Sequence, residues 1–184
     1  MKPEIEKELK MLVNEEQFKK ITDLYQPLEF IPQINTYYAS DASARHYFFR
    51  VREKEGRKLF TLKEHKNGVL YEHEKYFEGN LEDDPEIVAK LRQFGVSLSD
   101  CHPLGQLVTE RAMVISELAE LCFDINHYNG IIDFEIEYEV KAEHDEEKAF
   151  RKILKAAGIR YKSNPLSKYK RFVQSLNASR EMFF

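Results

Sequence analysis

The chain has 184 residues, which at roughly 150 residues per domain predicts one domain with a core of its own. Lys and Arg total 28 against 32 Asp and Glu, a net charge of −4, which excludes a protein whose whole surface binds nucleic acid. Charged residues reach 33% beside an ordinary 42% hydrophobic content, so the placement of the excess charge carries the functional question.

Period-two alternation over residues 3–12 predicts an opening strand. Asn14 with Gln17 three residues on forms a capping box for a helix through about Tyr25. Strands are expected over 33–39, 45–53, 58–66 and 68–76. Asp84-Pro85-Glu86 starts a second helix, with Ile87, Leu91 and Phe94 on one face and Gly95 as its stop. Further strands follow over 105–115, 118–126 and 130–141. The last alternates best: Ile132, Phe134, Ile136, Tyr138 and Val140 point one way, and Asp133, Glu135, Glu137 and Glu139 the other. A helix over 145–157 presents Phe150, Ile153, Leu154 and Ala157 and ends at Gly158. Asn164-Pro165 opens a final helix striped with Tyr169, Phe172, Val173 and Leu176. Strands outnumber helices without a βαβ alternation, which predicts an antiparallel α+β fold.

No apolar run approaches the roughly 18 residues needed to span a bilayer. The opening Met1-Lys2-Pro3-Glu4-Ile5-Glu6 carries no signal-peptide apolar region. The two cysteines, Cys101 and Cys122, form neither a disulfide framework nor a zinc motif. A cytoplasmic protein without membrane contact is the expectation.

Charge is sorted by strand face. Glu4, Glu6, Glu8 and Lys10 share a face, as do Arg50 and Arg52, Glu72 and Glu74, and Thr109 and Arg111. Lys63 lies opposite Phe60 and Leu62, and Cys122, Asp124 and Asn126 form another row. One solvated face is ordinary for an antiparallel sheet. Here, however, the first and last strands are acidic, while those around Arg50, Lys63 and Arg111 are basic. Like charges directly opposed are destabilising, so a purely structural surface tends to mix signs. A closed barrel with the charges inside would unite the first and last strands, with helices covering the apolar outside. Buried ions then need partners, and a polyanion with a divalent cation supplies them.

Glu6-Lys7-Glu8-Leu9-Lys10 resembles the N-terminal E-x-E-x-K signature of the CYTH, or triphosphate tunnel metalloenzyme, superfamily. Its followers keep the family order: Asn35-Thr36-Tyr37-Tyr38, Phe49-Arg50-Val51-Arg52, Leu59-Phe60-Thr61-Leu62-Lys63, Glu72-His73-Glu74, Thr109-Glu110-Arg111, Cys122-Phe123-Asp124 and Gly130 through Glu137. The resemblance covers nearly the whole chain and is strongest to bacterial stand-alone members named for adenylate cyclase. It implies a single domain over residues 1–184 built as a closed eight-stranded antiparallel β-barrel with helices outside. It also implies metal ligands at Glu6, Glu8, Asp124, Glu135 and Glu137, and triphosphate-binding bases at Lys10, Arg50, Arg52, Lys63 and Arg111. The pattern departs at Ala39-Ser40, in a shortened segment up to Arg50, and at Phe49, which places the tunnel mouth near residues 39–46 outside the family norm.

Hard carboxylate oxygens suit Mg2+ or Mn2+, and Arg offers phosphate a bidentate fork. The expected reaction is metal-dependent hydrolysis of a triphosphate, either tripolyphosphate or a nucleoside triphosphate, with Glu8, Glu137 and Lys10 as catalytic candidates. Two alternatives stay open: an adenylyl cyclase of the class IV type, and a module that binds polyphosphate or nucleotide without turnover. Cyclising relatives tend to carry His-Phe just before the E-x-E-x-K, and this chain has neither residue there. Ser99-Asp100-Cys101-His102 reads as a polar loop. The six histidines (His46, His65, His73, His102, His127 and His144) lack ligand spacing. Lys54, Arg57 and Lys58 form a basic turn without a stacking platform, so no nucleic-acid duplex is expected. Ser167 through Arg171 reads as a solvated helix face or as a guard at the tunnel mouth. Oligomeric state and the natural substrate are not encoded legibly.

Overall fold

The computed structural model describes residues 1–40 and 47–181. Among them the strands are β1 (Pro3–Ile5), β2 (Glu8–Val13), β3 (Ile31–Ser40), β4 (Tyr47–Lys54), β5 (Arg57–Lys66), β6 (Val69–Phe77), β7 (Cys101–Ile115), β8 (Ala119–Tyr128) and β9 (Ile131–Val140). The helices are α1 (Glu15–Thr22), α2 (Pro85–Gln93), α3 (Glu146–Ala156) and α4 (Lys168–Glu181). This is an α+β fold in which β1–β6, β2–β9, β3–β4, β4–β5, β5–β6, β7–β8 and β8–β9 pair antiparallel. The chain groups into two compact units, Met1–Glu6 with Gln33–Leu107, and Lys7–Pro32 with Val108–Phe184.

In the first unit the strand order is β1-β6-β5-β4-β3, continued by the first half of β7. Phe49 and Val51 of β4 and Phe60 and Leu62 of β5 alternate onto one face, where Ile87 and Leu91 of α2 cover them. That alternation sends Arg50, Arg52, Thr61 and Lys63 to the opposite face. Helix α2 begins where the sequence places it: Asp84 Oδ1 accepts from the amides of Glu86 (3.0 Å) and Ile87 (3.1 Å), and Pro85 fills the first turn.

In the second unit the order is β7-β8-β9-β2. Val13, Leu121, Phe123, Ile136 and Tyr138 line its apolar face, and Phe18 and Ile21 of α1 and Phe150 and Leu154 of α3 pack onto it. The capping box forms as expected, with Gln17 N donating to Asn14 Oδ1 at 2.8 Å and Asn14 N to Gln17 Oε1 at 3.1 Å. The expected apolar row of β9 is buried only in part, since Ile132 is exposed.

Three expectations change. The opening strand 3–12 divides, because Glu6 N donates to Leu70 O within the first unit while Lys7 O accepts from Val140 N within the second. The described strands therefore number nine rather than eight. Cys101 and His102 belong to β7 and not to a loop. The final helix starts at Lys168, capped by Ser167, and not at Asn164-Pro165. Asn164 is engaged elsewhere: its Oδ1 accepts from Lys10 N at 2.8 Å and its Nδ2 donates to Glu8 O at 3.0 Å. The side-chain amide thus takes the place of a neighbouring strand along the edge of β2. His46 and most of the expected tunnel-mouth segment lie at positions 41–46, outside the described residues.

Candidate functional site

In the second unit, β8 and β9 run in a register that pairs Asp124 with Glu135 and Cys122 with Glu137. Asp124 and Glu135 are fully buried and Glu137 nearly so. One ligand oxygen from each of Asp124, Glu135 and Glu137 lies within 4.8 Å of the others. Three adjacent buried carboxylates are untenable without cations, and four basic side chains answer them. Arg111, opposite Asp124 in the β7–β8 ladder, donates Nε to Oδ1 at 2.7 Å and Nη2 to Oδ2 at 2.6 Å, and Nη2 also bonds Glu137. Lys168 Nζ lies 2.7 Å from Asp124 Oδ2 and 3.0 Å from Glu135 Oε2, and it bonds Glu137 too. Arg171 Nη2 reaches Glu135 Oε2 at 2.7 Å, while its Nε reaches Asp133 Oδ2 at 3.0 Å. Lys10, opposite Glu137 across the β2–β9 ladder, bonds Glu8.

The electrostatic result is an ionised cluster. Burial would raise the Glu137 pKa, but Lys168, Arg111 and Lys10 hold it well below the usual carboxylate range. Burial would lower the pKa of Lys168, and Asp124, Glu135 and Glu137 instead hold it well above the ordinary lysine value. Lys10 is raised against its own desolvation by Glu137, Glu8 and Glu135. Burial pushes the Cys122 thiol up to about 12, so it is no nucleophile.

In the first unit, Lys63 Nζ lies 2.7 Å from both carboxylate oxygens of Glu6 and 2.7 Å from Glu72 Oε1. Burial raises the Glu72 pKa, but Lys63 and Arg50 outweigh it and hold the carboxyl below its ordinary value. Glu74 instead accepts from Thr61 Oγ1 at 2.7 Å, so of these two acids it is Glu72 that pairs with Lys63. Arg52 donates Nε to Asn35 Oδ1 at 3.0 Å, and Asn35 Nδ2 donates to Leu107 O. Arg50 Nε is buried and has no hydrogen-bond partner among the described residues. A guanidinium with a buried, unanswered donor is suited to an anionic oxygen. A cavity of about 310 Å³ opens beside Tyr38, Val51 and Phe77, but it lies on the β4 face that turns away from Arg50 and Arg52, and no candidate metal- or phosphate-binding residue lines it.

The residues expected from the sequence thus fall into two groups. Lys10, Glu8, Arg111, Asp124, Glu135 and Glu137 belong to the second unit, and Glu6, Arg50, Arg52 and Lys63 to the first. Of the five metal candidates, Asp124, Glu135 and Glu137 form the close cluster, while Glu8 is bonded to Lys10 and Glu6 to Lys63. Lys168 and Arg171, read as a solvated face or a guard, are engaged with these acids and nearly buried. Their signal was available: α4 has no acidic residue in its first turn, where acids are favoured and cations are not.

The CYTH domain model matches residues 4–173. The Bacillus subtilis protein named "Putative triphosphatase YjbK" is 30% identical over 170 residues, covering 86% of this chain and 90% of its own. A crystal structure from Bacillus halodurans, described as an adenylate cyclase by assignment only, aligns at TM-score 0.82 and 31% identity over 94% of this chain and 99% of its own. HpAC1 from Hippeastrum, described as an adenylyl cyclase by assignment and as having a dominant triphosphatase activity, aligns at TM-score 0.73 and 20% identity over 92% and 96% of the two chains, a likeness of fold. The match over almost all its length and the order of its charged strands together show that this chain belongs to the CYTH domain family.

Proposed function

We propose that the protein hydrolyses a triphosphate with the help of a divalent metal. The observation that carries this reading is the buried cluster of Asp124, Glu135 and Glu137. Its donors are hard oxygens, which fit Mg2+ or Mn2+ and not a soft metal. Glu8 and Glu6 are further ligands in this proposal, and the closed barrel that the family resemblance implies, as one domain over residues 1–184, belongs to it as well. A bound metal polarises phosphoryl oxygens and lowers the pKa of water. Lys10, Arg50, Arg52, Lys63 and Arg111 neutralise the phosphates, and Glu8 or Glu137 orients the attacking water. The name of the Bacillus subtilis relative supports hydrolysis over cyclisation. So does the absence of His-Phe before Glu6.

The test is phosphate release from tripolyphosphate and from ATP with Mg2+ or Mn2+, beside an assay for cyclic AMP. Phosphate without cyclic AMP is the expected result. Cyclic AMP would establish the cyclase, and tight binding without turnover the binding module.

A further inference from the structure

Lys168 occupies an unusual position for a lysine in the first turn of a helix. Its ammonium bonds all three members of the carboxylate cluster, with Nζ 2.7 Å from Asp124, 3.0 Å from Glu135 and in contact with Glu137. The first turn of α4 carries Lys168, Lys170 and Arg171 and no acid. Cations there oppose the positive end of the helix dipole. What offsets that cost is the carboxylate cluster, so the seating of the first turn depends on those acids being available to Lys168. Arg171 adds a second tie through Asp133 and Glu135, and buried Phe172 a third.

The geometry points to Lys168 as a built-in competitor of the divalent ion: metal uptake by Asp124, Glu135 and Glu137 expels the Lys168 ammonium and loosens the first turn of α4. This rests on the metal reading above and adds a coupling to it. One point between three carboxylates cannot hold an ammonium and a dication together, and the dication gains more from the shared oxygens. Lys is a compact charge on a flexible four-carbon stem, so it can withdraw without unfolding the helix. The loosening is confined to the start of α4. Lys170 N, bonded to Ser167 Oγ at 3.3 Å, and Arg171 N, bonded to Ser167 O at 3.0 Å, report it together with the amides of the next turn, whose acceptors are the first-turn carbonyls. Residues beyond Phe172 stay docked.

Two readouts test this on the full chain with Mn2+ alone. Titration calorimetry should find that Lys168→Met binds Mn2+ about tenfold more tightly than the parent, the worth of one charge contact. Lys170→Met, which removes the same charge from an exposed position of the same turn, should leave affinity within about twofold. Hydrogen exchange on the unmodified protein should rise across residues 170–175, whose amides donate to Ser167 or to the carbonyls of the first turn, when Mn2+ is added, and stay unchanged across α3. Equal affinities for the two variants, or metal binding with no exchange response, would overturn the competition and leave the metal site standing. Failure of the parent and of Lys168→Met alike to bind Mn2+ would overturn both. The exchange experiment needs no variant, so a misfolded Lys168→Met does not spare the proposal.

Discussion

Arg111 holds Asp124 through two parallel hydrogen bonds, Nε to Oδ1 at 2.7 Å and Nη2 to Oδ2 at 2.6 Å, with Asp124 fully buried. The family resemblance gives Arg111 to phosphate, and here its Nε and Nη2 also serve a buried carboxylate. Arg111→Ala should therefore cost stability as well as binding. Breaking a buried pair from one side leaves an uncompensated charge, worth about 3–5 kcal/mol. Urea unfolding measures it, and a loss below about 1 kcal/mol would mean the pair is solvated.

The two groups of charges should separate metal binding from triphosphate binding. Arg52→Ala removes a phosphate donor, so tripolyphosphate should bind about 1.5–3 kcal/mol more weakly, while Mn2+ affinity persists. Glu137→Gln should do the reverse, with metal affinity and turnover both falling sharply. Calorimetry with each ligand, beside phosphate release, decides. Near-normal turnover in Glu137→Gln would end the proposed division of labour.

Glu72 makes an acid-sensitive contribution to the first unit. Its folded pKa lies below the unfolded value, despite burial, because of Lys63 and Arg50. The stability it supplies is present above the unfolded pKa of about 4.3 and is lost as pH falls through the folded pKa. Glu72→Gln should lower stability at neutral pH and flatten the acid limb of a stability profile measured against the parent. An unchanged slope between neutral and acid pH would contradict the pairing.

Asn164 acts as the strand neighbour that the edge of β2 lacks. Besides its bonds to Lys10 N and Glu8 O, it accepts from Tyr161 Oη at 2.8 Å. Asn164→Ala should cost about 1–3 kcal/mol and expose the Lys10 amide to faster exchange. Unaltered exchange at Lys10 would show that the side chain is dispensable.

Local rules fixed much of this protein before any folding was considered. The capping box of Asn14 and Gln17, the Asp84-Pro85 helix start and the two-residue alternation of β4, β5 and β9 are short-range effects written in adjacent residues. The family order of the charged strands made Glu135, Glu137, Arg50 and Arg52 legible as candidates, since alternation alone puts each pair on one face. Only the tertiary structure decided which charge answers which. The break at Glu6–Lys7 depends on hydrogen-bond partners at Leu70 and Val140, more than sixty residues away in each case along the chain. Asn164-Pro165 carries a helix-start pattern, but the long-range bonds to β2 outweighed it and delayed α4 to Lys168. Lys168 itself reads as solvent-facing, because a helix face rich in Lys and Arg is solvated in most settings. Its burial among Asp124, Glu135 and Glu137 follows from where β8 and β9 place those acids. Periodicity assigns a side chain to a face, whereas the partner it meets there is set by contacts between residues far apart in sequence.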